Sequence, residues 1–331
     1  MVVEKVAGIF EDLRLYQILM SIWTGQKMTV QQNHENYPLV SVIIPTYNYA
    51  SYVTRTVSSC MEQTYKNIEI VVVDDGSTDN TAQVLGEFGS AINYIFQENR
   101  GVSAARNKGM EHARGDYITF VDADDYLTKE SLKERLDILL KKPDIGIVVS
   151  DKYTTSLLDD TLSFKPALKK DKISEIFYED LLLKKISFAT ATALMRSSVA
   201  KKCSFPENIT NGEDIAYFTK IFFSTKGYYL AKPTVVIMRH PDSLRYDIEK
   251  IKRQDMNLVQ TIFDDPFYKG SLNFLRKRFS SNRYLSLSRS FYLSGELNLA
   301  RQYYLKGIAL KPSQLIKLNY LSKFERILLT I

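Results

Sequence analysis

Three stretches decide the fold: LVSVIIPTYN at residues 39–48, IEIVVVDDGS at residues 68–77 and YITFVDADD at residues 117–125. Each begins with a nearly continuous apolar run and ends in a polar cluster. Such runs are typical of strands in a parallel sheet covered on both faces. Together with two shorter apolar runs, the three stretches predict strands at residues 39–45, 68–74, 92–96, 117–121 and 145–150. Helical patterns alternate with these strands at residues 51–64, 78–88, 102–113 and 129–142. The sequence therefore predicts an α/β fold with a mostly parallel sheet flanked by helices.

The alternation of strands and helices becomes less regular after Asp151. The spacing of apolar residues predicts helices at residues 173–185 and 213–224 and extended segments at residues 188–195 and 228–238. Beyond these segments only helical patterns are found, and residues 292–312 resemble one tetratricopeptide-type helical hairpin. We expect an all-helical C-terminal subdomain over residues 248–331.

An amphipathic pattern precedes the first strand. Apolar residues between Val2 and Trp23 recur in steps of four and three, which places them on one stripe of a helix. We expect this helix to pack on its own domain, with self-association into a homodimer as the alternative. The polar stretch at residues 31–37 is predicted to be a linker, so residues 1–37 form an N-terminal helix and linker.

Composition excludes several classes of protein. Two cysteines, Cys60 and Cys203, are too few for a disulfide framework in 331 residues, which favours a reducing compartment. No apolar run reaches the roughly 18–20 residues of a membrane helix. The acidic, interrupted start at residues 1–10 does not resemble a signal peptide. We therefore expect a cytoplasmic protein without a membrane span.

Positive charge is concentrated at the C-terminus. The whole chain carries a net charge of +6, but residues 251–331 contain 14 Lys or Arg and only 5 Asp or Glu. A solvated helical surface explains this charge, and peripheral contact with an anionic membrane face, at the inner side of the cell membrane, is the alternative. No nucleic-acid recognition motif accompanies the basic residues, so no nucleic-acid partner is expected.

Polar clusters follow the strands at the edge where a parallel sheet binds its ligands. Asp122 and Asp124 alternate at the end of the fourth predicted strand, which brings two carboxylates close together. A hard divalent cation relieves their repulsion and takes further oxygen ligands from substrate phosphates. The sequence therefore predicts a Mg²⁺ or Mn²⁺ site, although a solvated acidic turn has the same pattern.

Other clusters fit a nucleotide. Asp75 stands where acidic side chains accept hydrogen bonds from a ribose or base, and the plainer interpretation is a helix-capping turn. Tyr47 offers a ring on which a base could stack. NRGVSAARNKG at residues 99–109 combines small residues, which let a backbone approach closely, with Arg106, whose guanidinium suits phosphate or carboxylate.

The order of these clusters resembles the family-two glycosyltransferases of the GT-A fold. PTYN follows the first strand, and DDGS follows the second. NRGVSAARNKG comes next, and DAD follows the fourth strand. Asp214, the second residue of an ED pair, lies 92 residues after Asp122. The resemblance covers roughly residues 38–243. It implies a GT-A glycosyltransferase domain at residues 38–247, with a donor-nucleotide half (38–127) and an acceptor half (128–247).

The resemblance also assigns residue roles. Tyr47 and Asp75 would hold the donor nucleobase, and Asp214 would be the general base. The donor-binding set it implies is Pro45, Thr46, Tyr47, Asn48, Asp74, Asp75, Asn99, Gly101, Arg106, Asp122 and Ala123. Asp124 and His240 would hold the metal, and Glu213 and Arg239 would lie on the acceptor side or support the catalytic residues.

The function implied is inverting, metal-dependent transfer of one hexosyl or N-acetylhexosaminyl unit. The donor would be a nucleotide-sugar, most simply a UDP-sugar, and the acceptor a hydroxyl of a saccharide or lipid-linked saccharide in capsule, O-antigen or other surface polysaccharide synthesis. The QxxRW segment of processive relatives is absent, because the only tryptophan is Trp23. A sugar-1-phosphate nucleotidyltransferase and a non-catalytic sugar-nucleotide-binding scaffold are the alternatives.

Overall fold

The computed structural model describes residues 37–156, 159–186, 188–209, 211–239 and 256–314. The described residues from Pro38 onward belong to one compact unit. The predicted N-terminal helix, most of the linker, His240 and the chain beyond residue 314 lie outside the described residues. Within those ranges, none of the helices combines the length and the apolar composition needed to span a bilayer.

A single mixed sheet of ten strands organises the described part of the chain. The strands are β1 (Val40–Thr46), β2 (Ile68–Asp74), β3 (Asn93–Phe96), β4 (Tyr117–Phe120), β5 (Tyr126–Leu127), β6 (Ile145–Ser156), β7 (Asp159–Phe164), β8 (Lys172–Ser174), β9 (Ala193–Arg196) and β10 (Lys226–Arg239). Their order is β3-β2-β1-β4-β9-β6-β10-β5, with β7 beside β6 and β8 beside β10.

Helices cover the sheet and continue beyond it. They are α1 (Ala50–Met61), α2 (Thr81–Gly86), α3 (Val102–His112), α4 (Ser131–Lys141), α5 (Phe177–Leu182), α6 (Ser197–Ala200), α7 (Glu213–Ser224), α8 (Asn257–Phe263), α9 (Asn273–Leu293) and α10 (Leu297–Leu310). The α/β alternation predicted for the first half of the chain is confirmed, and α9 and α10 form the expected helical hairpin.

The first four strands of the sheet order are parallel, and their register defines one functional edge. β1 pairs with β2 from Val40 opposite Ile68 to Thr46 opposite Asp74. β4 lies on the other side of β1, with Phe120 opposite Ile43. The polar residues that follow β1, β2 and β4 therefore emerge at the same edge, as the sequence predicts.

The second half of the sheet is mixed rather than parallel. β9 is antiparallel to both β4 and β6, and it joins the two halves of the sheet. β10 runs parallel to β6 along most of its length. β5 and β7, which the sequence does not predict, are antiparallel strands beside β10 and β6. Pairing also extends β6 to Ser156, six residues beyond the predicted end.

The prediction of a helix over residues 173–185 is wrong at its start. Lys172–Ser174 forms β8, in which Ser174 lies opposite Gly227 of β10, and the helix spans only Phe177–Leu182. Backbone pairing with β10 therefore overrides the local helical pattern. The predicted extended segment at 188–195 likewise contains a 3₁₀ turn, Thr190–Thr192, before β9.

Alternation along the strands divides the core between the two faces of the sheet. Val42 and Ile44 of β1 belong to the cluster under α1 and α4, while Ile43 belongs to the cluster under α3 and α7. Because both faces are covered, every residue of β1 is buried. This double burial explains why the strand sequences are nearly continuous apolar runs.

The packing of α3 on β1 generates a prediction about stability. A Cβ added to Gly109 of α3 would overlap Cγ2 of Ile43, a branch fixed close to the backbone. Helix propensity favours alanine over glycine by up to about 1 kcal/mol, whereas overpacking costs about 1–3 kcal/mol. We expect Gly109→Ala to lower the free energy of unfolding measured in urea.

Gly86→Ala is the matched control, because no atom lies within 4 Å of a Cβ added there at the end of α2. It should be neutral or slightly stabilising. Equal unfolding free energies for the two variants would contradict the close packing of α3 on β1.

Candidate active site

Asp75 organises the loop that leads into α3. Its carboxylate accepts hydrogen bonds from the backbone N–H groups of Arg100 (2.9 Å) and Gly101 (2.7 Å) and from Nε2 of Gln97 (2.7 Å). Asp75 is nearly completely buried. A carboxylate has about four acceptor positions, and these three donors occupy most of them. The predicted donor-binding residues Asp75 and Gly101 are thus in direct contact.

The neighbouring Asp74 has a structural role. One of its oxygens accepts from the Ser77 N–H at 2.8 Å, and the other accepts from the hydroxyl of Tyr94 at 2.9 Å. Burial and the Asp74 charge raise the pKa of Tyr94 to about 12, so the hydroxyl stays protonated and donates. Asp74 therefore holds the DDGS turn against β3.

β1 is followed by an exposed tyrosine and by an asparagine in a left-handed turn. Pro45 and Thr46 are buried, whereas the side chain of Tyr47 is 44% exposed. Asn48 has φ 55°, a left-handed conformation that asparagine tolerates well. Its Oδ1 accepts from the N–H of Thr78 at 2.7 Å, which joins the two strand ends. Tyr47 is thereby left on the surface of the site.

The acidic turn, residues 122–125 after β4, is held by hydrogen bonds from α1 and from β10. Oγ1 of Thr56 on α1 lies 2.8 Å from the carbonyl oxygen of Ala123 and 2.7 Å from that of Asp125, so its single O–H is shared between the two acceptors. The N–H of Met238, near the end of β10, donates to the Asp125 carboxylate at 3.0 Å. Burial, then the charges of Asp124 and Asp122, raise the pKa of Asp125 well above its usual range. Three carboxylates are therefore concentrated in this turn.

Arg106 joins this turn to the ED pair on α7. Its Nη2 lies 2.7 Å from Asp122, and its Nη1 lies 3.0 Å from Glu213. The guanidinium is buried and lies over the ring of Phe205 at 5.1 Å. Burial alone would lower the pKa of Arg106, but the charges of Asp122 and Glu213 raise it overall. Two motifs separated by about 90 residues are thus held together by one cation.

Glu213 and Asp214 begin α7. Gly212 precedes them with φ 92°, a left-handed conformation that favours glycine. Oδ1 of Asp214 accepts from the N–H of Ile215 at 2.8 Å. Burial, and then the charge of Asp214, raise the pKa of Glu213 to about 7. Burial also raises the pKa of Asp214, while the Arg106 charge opposes this rise.

The donor set at the acidic turn suits a hard cation. Within the described ranges, no group of three or more His, Cys, Asp or Glu side chains forms a complete metal site. The half-buried carboxylates of Asp122 and Asp124 are hard oxygen ligands of the kind that Mg²⁺ and Mn²⁺ share with substrate phosphates. The residues present therefore fit an ion that is bound together with a diphosphate.

The remaining predicted residues are placed as follows. Asn99 is exposed, and its backbone lies against Gly76, where an added Cβ would be 2.8 Å from the Asn99 nitrogen. Arg239 is exposed at the end of β10, one residue after the Met238 that contacts the acidic turn. His240 lies outside the described residues, so its predicted role as a metal ligand stays a prediction.

Sequence reasoning missed three residues that shape the site. Asp125 extends the DAD cluster by one carboxylate, so its sequence position could have indicated it. Thr56 has no motif signal, because it acts on the acidic turn across 67 residues of chain. Glu207 bonds Arg100 at 2.8 Å and Asn107 at 3.0 Å, which ties the loop before α7 to the donor-side loop.

Comparison with known proteins identifies relatives over the same region. The model of "Glycosyl transferase family 2" matches residues 41–203. An uncharacterized glycosyltransferase of Haemophilus influenzae is 34% identical over 187 residues, which are 55% of this chain and 71% of that protein. Glycosyltransferase GlyG of Streptococcus pneumoniae is 34% identical over 44% of this chain and 49% of its own length.

Solved structures share the fold at lower sequence identity. S. aureus TarS 1–349 in complex with UDP-GlcNAc superposes with a TM-score of 0.56 at 19% identity, covering 83% of this chain and 91% of that one. The mannosyltransferase PcManGT from Pyrobaculum calidifontis, in complex with GDP-Man and Mn²⁺, gives 0.52 at 20% identity, covering 93% and 89%. With its GT-A-like sheet and the motif order described above, the chain belongs to glycosyl transferase family 2.

Proposed function

We propose that this glycosyltransferase transfers one sugar, with inversion, from a UDP-sugar to a hydroxyl of a saccharide or lipid-linked saccharide in surface polysaccharide synthesis. The observation that carries the proposal is the Arg106 bridge. One guanidinium contacts Asp122 of the acidic turn and Glu213, the residue that precedes Asp214. A group that binds the donor phosphates and a group that accepts a proton are thereby brought close together.

The donor side is supported by the strand ends. Tyr47 offers an exposed ring for a nucleobase, and Asp75 keeps an acceptor position beside the base. Two structural relatives were solved with sugar nucleotides, UDP-GlcNAc and GDP-Man, the second together with Mn²⁺. We therefore assign the nucleotide to the β1 and β2 ends and the diphosphate to the acidic turn.

We assign the divalent cation to Asp124, with Asp122 beside it. When bound, the cation would neutralise charge on the leaving diphosphate. Asp122 is held by Arg106 and is directed to the donor sugar or ribose. Thr56 and Met238 fix the backbone and Asp125 of this turn, so the carboxylates are held in place before the donor binds.

Asp214 is the proposed general base. An acceptor hydroxyl is a weak nucleophile near neutral pH, so a carboxylate within hydrogen-bond distance must take its proton. Asp214 is half-buried and lies in the first turn of α7, where the N-terminal dipole favours its charged form. Attack from the side opposite the leaving diphosphate inverts the configuration at the anomeric carbon.

The raised pKa of Glu213 supports this assignment. The pKa of Glu213, raised to about 7, keeps much of Glu213 protonated near neutral pH. A neutral Glu213 removes the like charge beside Asp214, which makes it easier for Asp214 to carry the negative charge of a base. Glu213 is therefore a positioning residue that sets the charge of the base.

The two alternatives receive less support. A non-catalytic scaffold would not need the Arg106 bridge between the acidic turn and the ED pair. A sugar-1-phosphate nucleotidyltransferase needs a glycine-rich basic loop after the first strand, and residues 45–48 are PTYN. Transfer of a sugar explains both halves of the site.

The Asp214 assignment makes a kinetic prediction. Asp214→Asn keeps the size of the side chain and its acceptor for the Ile215 N–H but cannot accept a proton. The transfer rate should fall by a factor of roughly 100–10,000, while the affinity for UDP with Mn²⁺, measured by calorimetry, stays close to that of the wild type. A transfer rate close to that of the wild type would place the base elsewhere.

Asp124→Ala provides the matched control, since it removes a carboxylate from the donor side. It should strongly weaken Mn²⁺-dependent UDP binding. If Asp214→Asn also abolished UDP binding, Asp214 would belong to the donor site and not to the acceptor side.

The raised pKa of Glu213 makes a prediction about stability and pH. The native protein holds a proton on Glu213 up to about pH 7, whereas the unfolded chain releases it near pH 4.5. The stabilisation that this bound proton gives the native state is fully present below the pKa of Glu213 in the unfolded chain. It is lost as the pH rises through the pKa of Glu213 in the folded protein. Between pH 5 and pH 7.5, roughly the limits of this window, wild type should lose unfolding free energy relative to Glu213→Gln.

Urea unfolding of both proteins at the two pH values measures this difference. Glu213→Gln stays neutral throughout and keeps a hydrogen-bond acceptor for Arg106. A difference between the two proteins that does not change with pH would show that Glu213 titrates normally in the folded state.

A further inference from the structure

A polar cavity lies beside the catalytic helix. Its volume is about 510 Å³, within the range of about 300–1,000 Å³ that is usual for small-molecule sites. Its walls come from α7, from α8 and from the loop at residues 204–208. Most of the side chains that line it carry amide, hydroxyl or charged groups.

The cavity lies along the face of α7 that carries Glu213. Ala216 and Lys220 line it, and they follow Glu213 by three and seven residues, which places them on the same face of the helix. At 1.5 Å per residue, that is about 4.5 Å and about 10.5 Å along the helix axis. Gly212 also lies against Leu258 of α8, the neighbour of the cavity residue Asn257.

The charges that line the cavity neutralise one another or an adjacent side chain. Nζ of Lys220 lies 2.6 Å from the carboxylate of Asp265. Asp264 pairs with Arg276 of α9 at 2.5 Å, with a second contact at 3.2 Å. An ionic ligand would have to break these pairs, so the lining favours a neutral ligand.

The uncharged lining is suited to hydroxyl groups. Asn208, Asn257 and Gln260 each offer an amide donor and an amide acceptor, and Thr261 adds a hydroxyl. Groups that both donate and accept match a sugar, because each of its hydroxyls also donates and accepts.

We propose that this cavity is a subsite for a neutral sugar unit of the acceptor, one unit away from the reacting hydroxyl. The inference rests on the proposed function and deepens it, because it assigns the enzyme an oligosaccharide acceptor. It also gives α8, in the helical C-terminal part of the chain, a direct role in acceptor binding.

The test uses the full chain with UDP and Mg²⁺, so that the donor side is occupied. The probes are neutral mono-, di- and trisaccharides of glucose, galactose and N-acetylglucosamine, and binding is titrated by saturation-transfer NMR. At least one di- or trisaccharide should bind more tightly than every monosaccharide. Gln260→Ala and Asn208→Ala should each weaken that binding about fivefold, as expected for one lost hydrogen bond.

Gln302→Ala is the matched control, since Gln302 is exposed on α10 and is not part of the cavity lining. It should leave saccharide binding unchanged. The proposal is overturned if no saccharide binds, if chain length has no effect, or if Gln260→Ala and Asn208→Ala bind like the wild type. UDP affinity measured on the same samples separates this result from the proposed function, because the cavity variants should leave it unchanged.

Discussion

The site depends on the two ion pairs that the buried guanidinium of Arg106 forms. Three carboxylates in the acidic turn and two at the start of α7 would repel one another in a partly buried space. Arg106 places a permanent positive charge between Asp122 and Glu213 and directs one N–H to each. Because the bridge joins the parallel and mixed halves of the domain, it fixes the distance between the donor side and the proposed base.

The sheet and its neighbours supply the geometry around this bridge. Register places the ends of β1 and β2 side by side, so that Asp75 and Tyr47 emerge at one edge. On the opposite side of the acidic turn, β10 contributes the N–H of Met238. The α8 segment then adds a polar cavity beside α7. In this proposal, the donor site, the general base and the acceptor subsite all lie at the carboxyl edge of the sheet or beside α7.

Much of this arrangement could be predicted from sequence because its signals are local. The strands over 68–74 and the helix over 213–224 were placed at the observed bounds, since their apolar periodicity matches their burial. The predicted helix over residues 173–185 is wrong at its start, where the chain forms β8 beside β10. The spacing of apolar residues within one segment carries no information about the strand with which that segment pairs.

The contacts that could not be predicted are those between residues far apart in the sequence. Thr56 and Glu207 act across the fold and belong to no motif, and the charge state of Glu213 depends on burial that only the structure reveals. The separate role of Asp74, which binds Ser77 and Tyr94, likewise follows from three-dimensional contacts. The sequence therefore predicts which residues form the candidate site, and packing determines how each group is charged and held.

The unfolding free energy of Arg106→Gln tests the central claim most directly. Removing the cation leaves the partly buried carboxyl groups of Asp122 and Glu213 without their partner, so we expect a loss of about 1–3 kcal/mol in urea. Adding Asp122→Asn and Glu213→Gln to that variant should recover most of the loss, because the unpartnered carboxyl groups are then replaced by neutral amides. A single variant within about 0.5 kcal/mol of the wild type, or no recovery in the triple variant, would contradict the account.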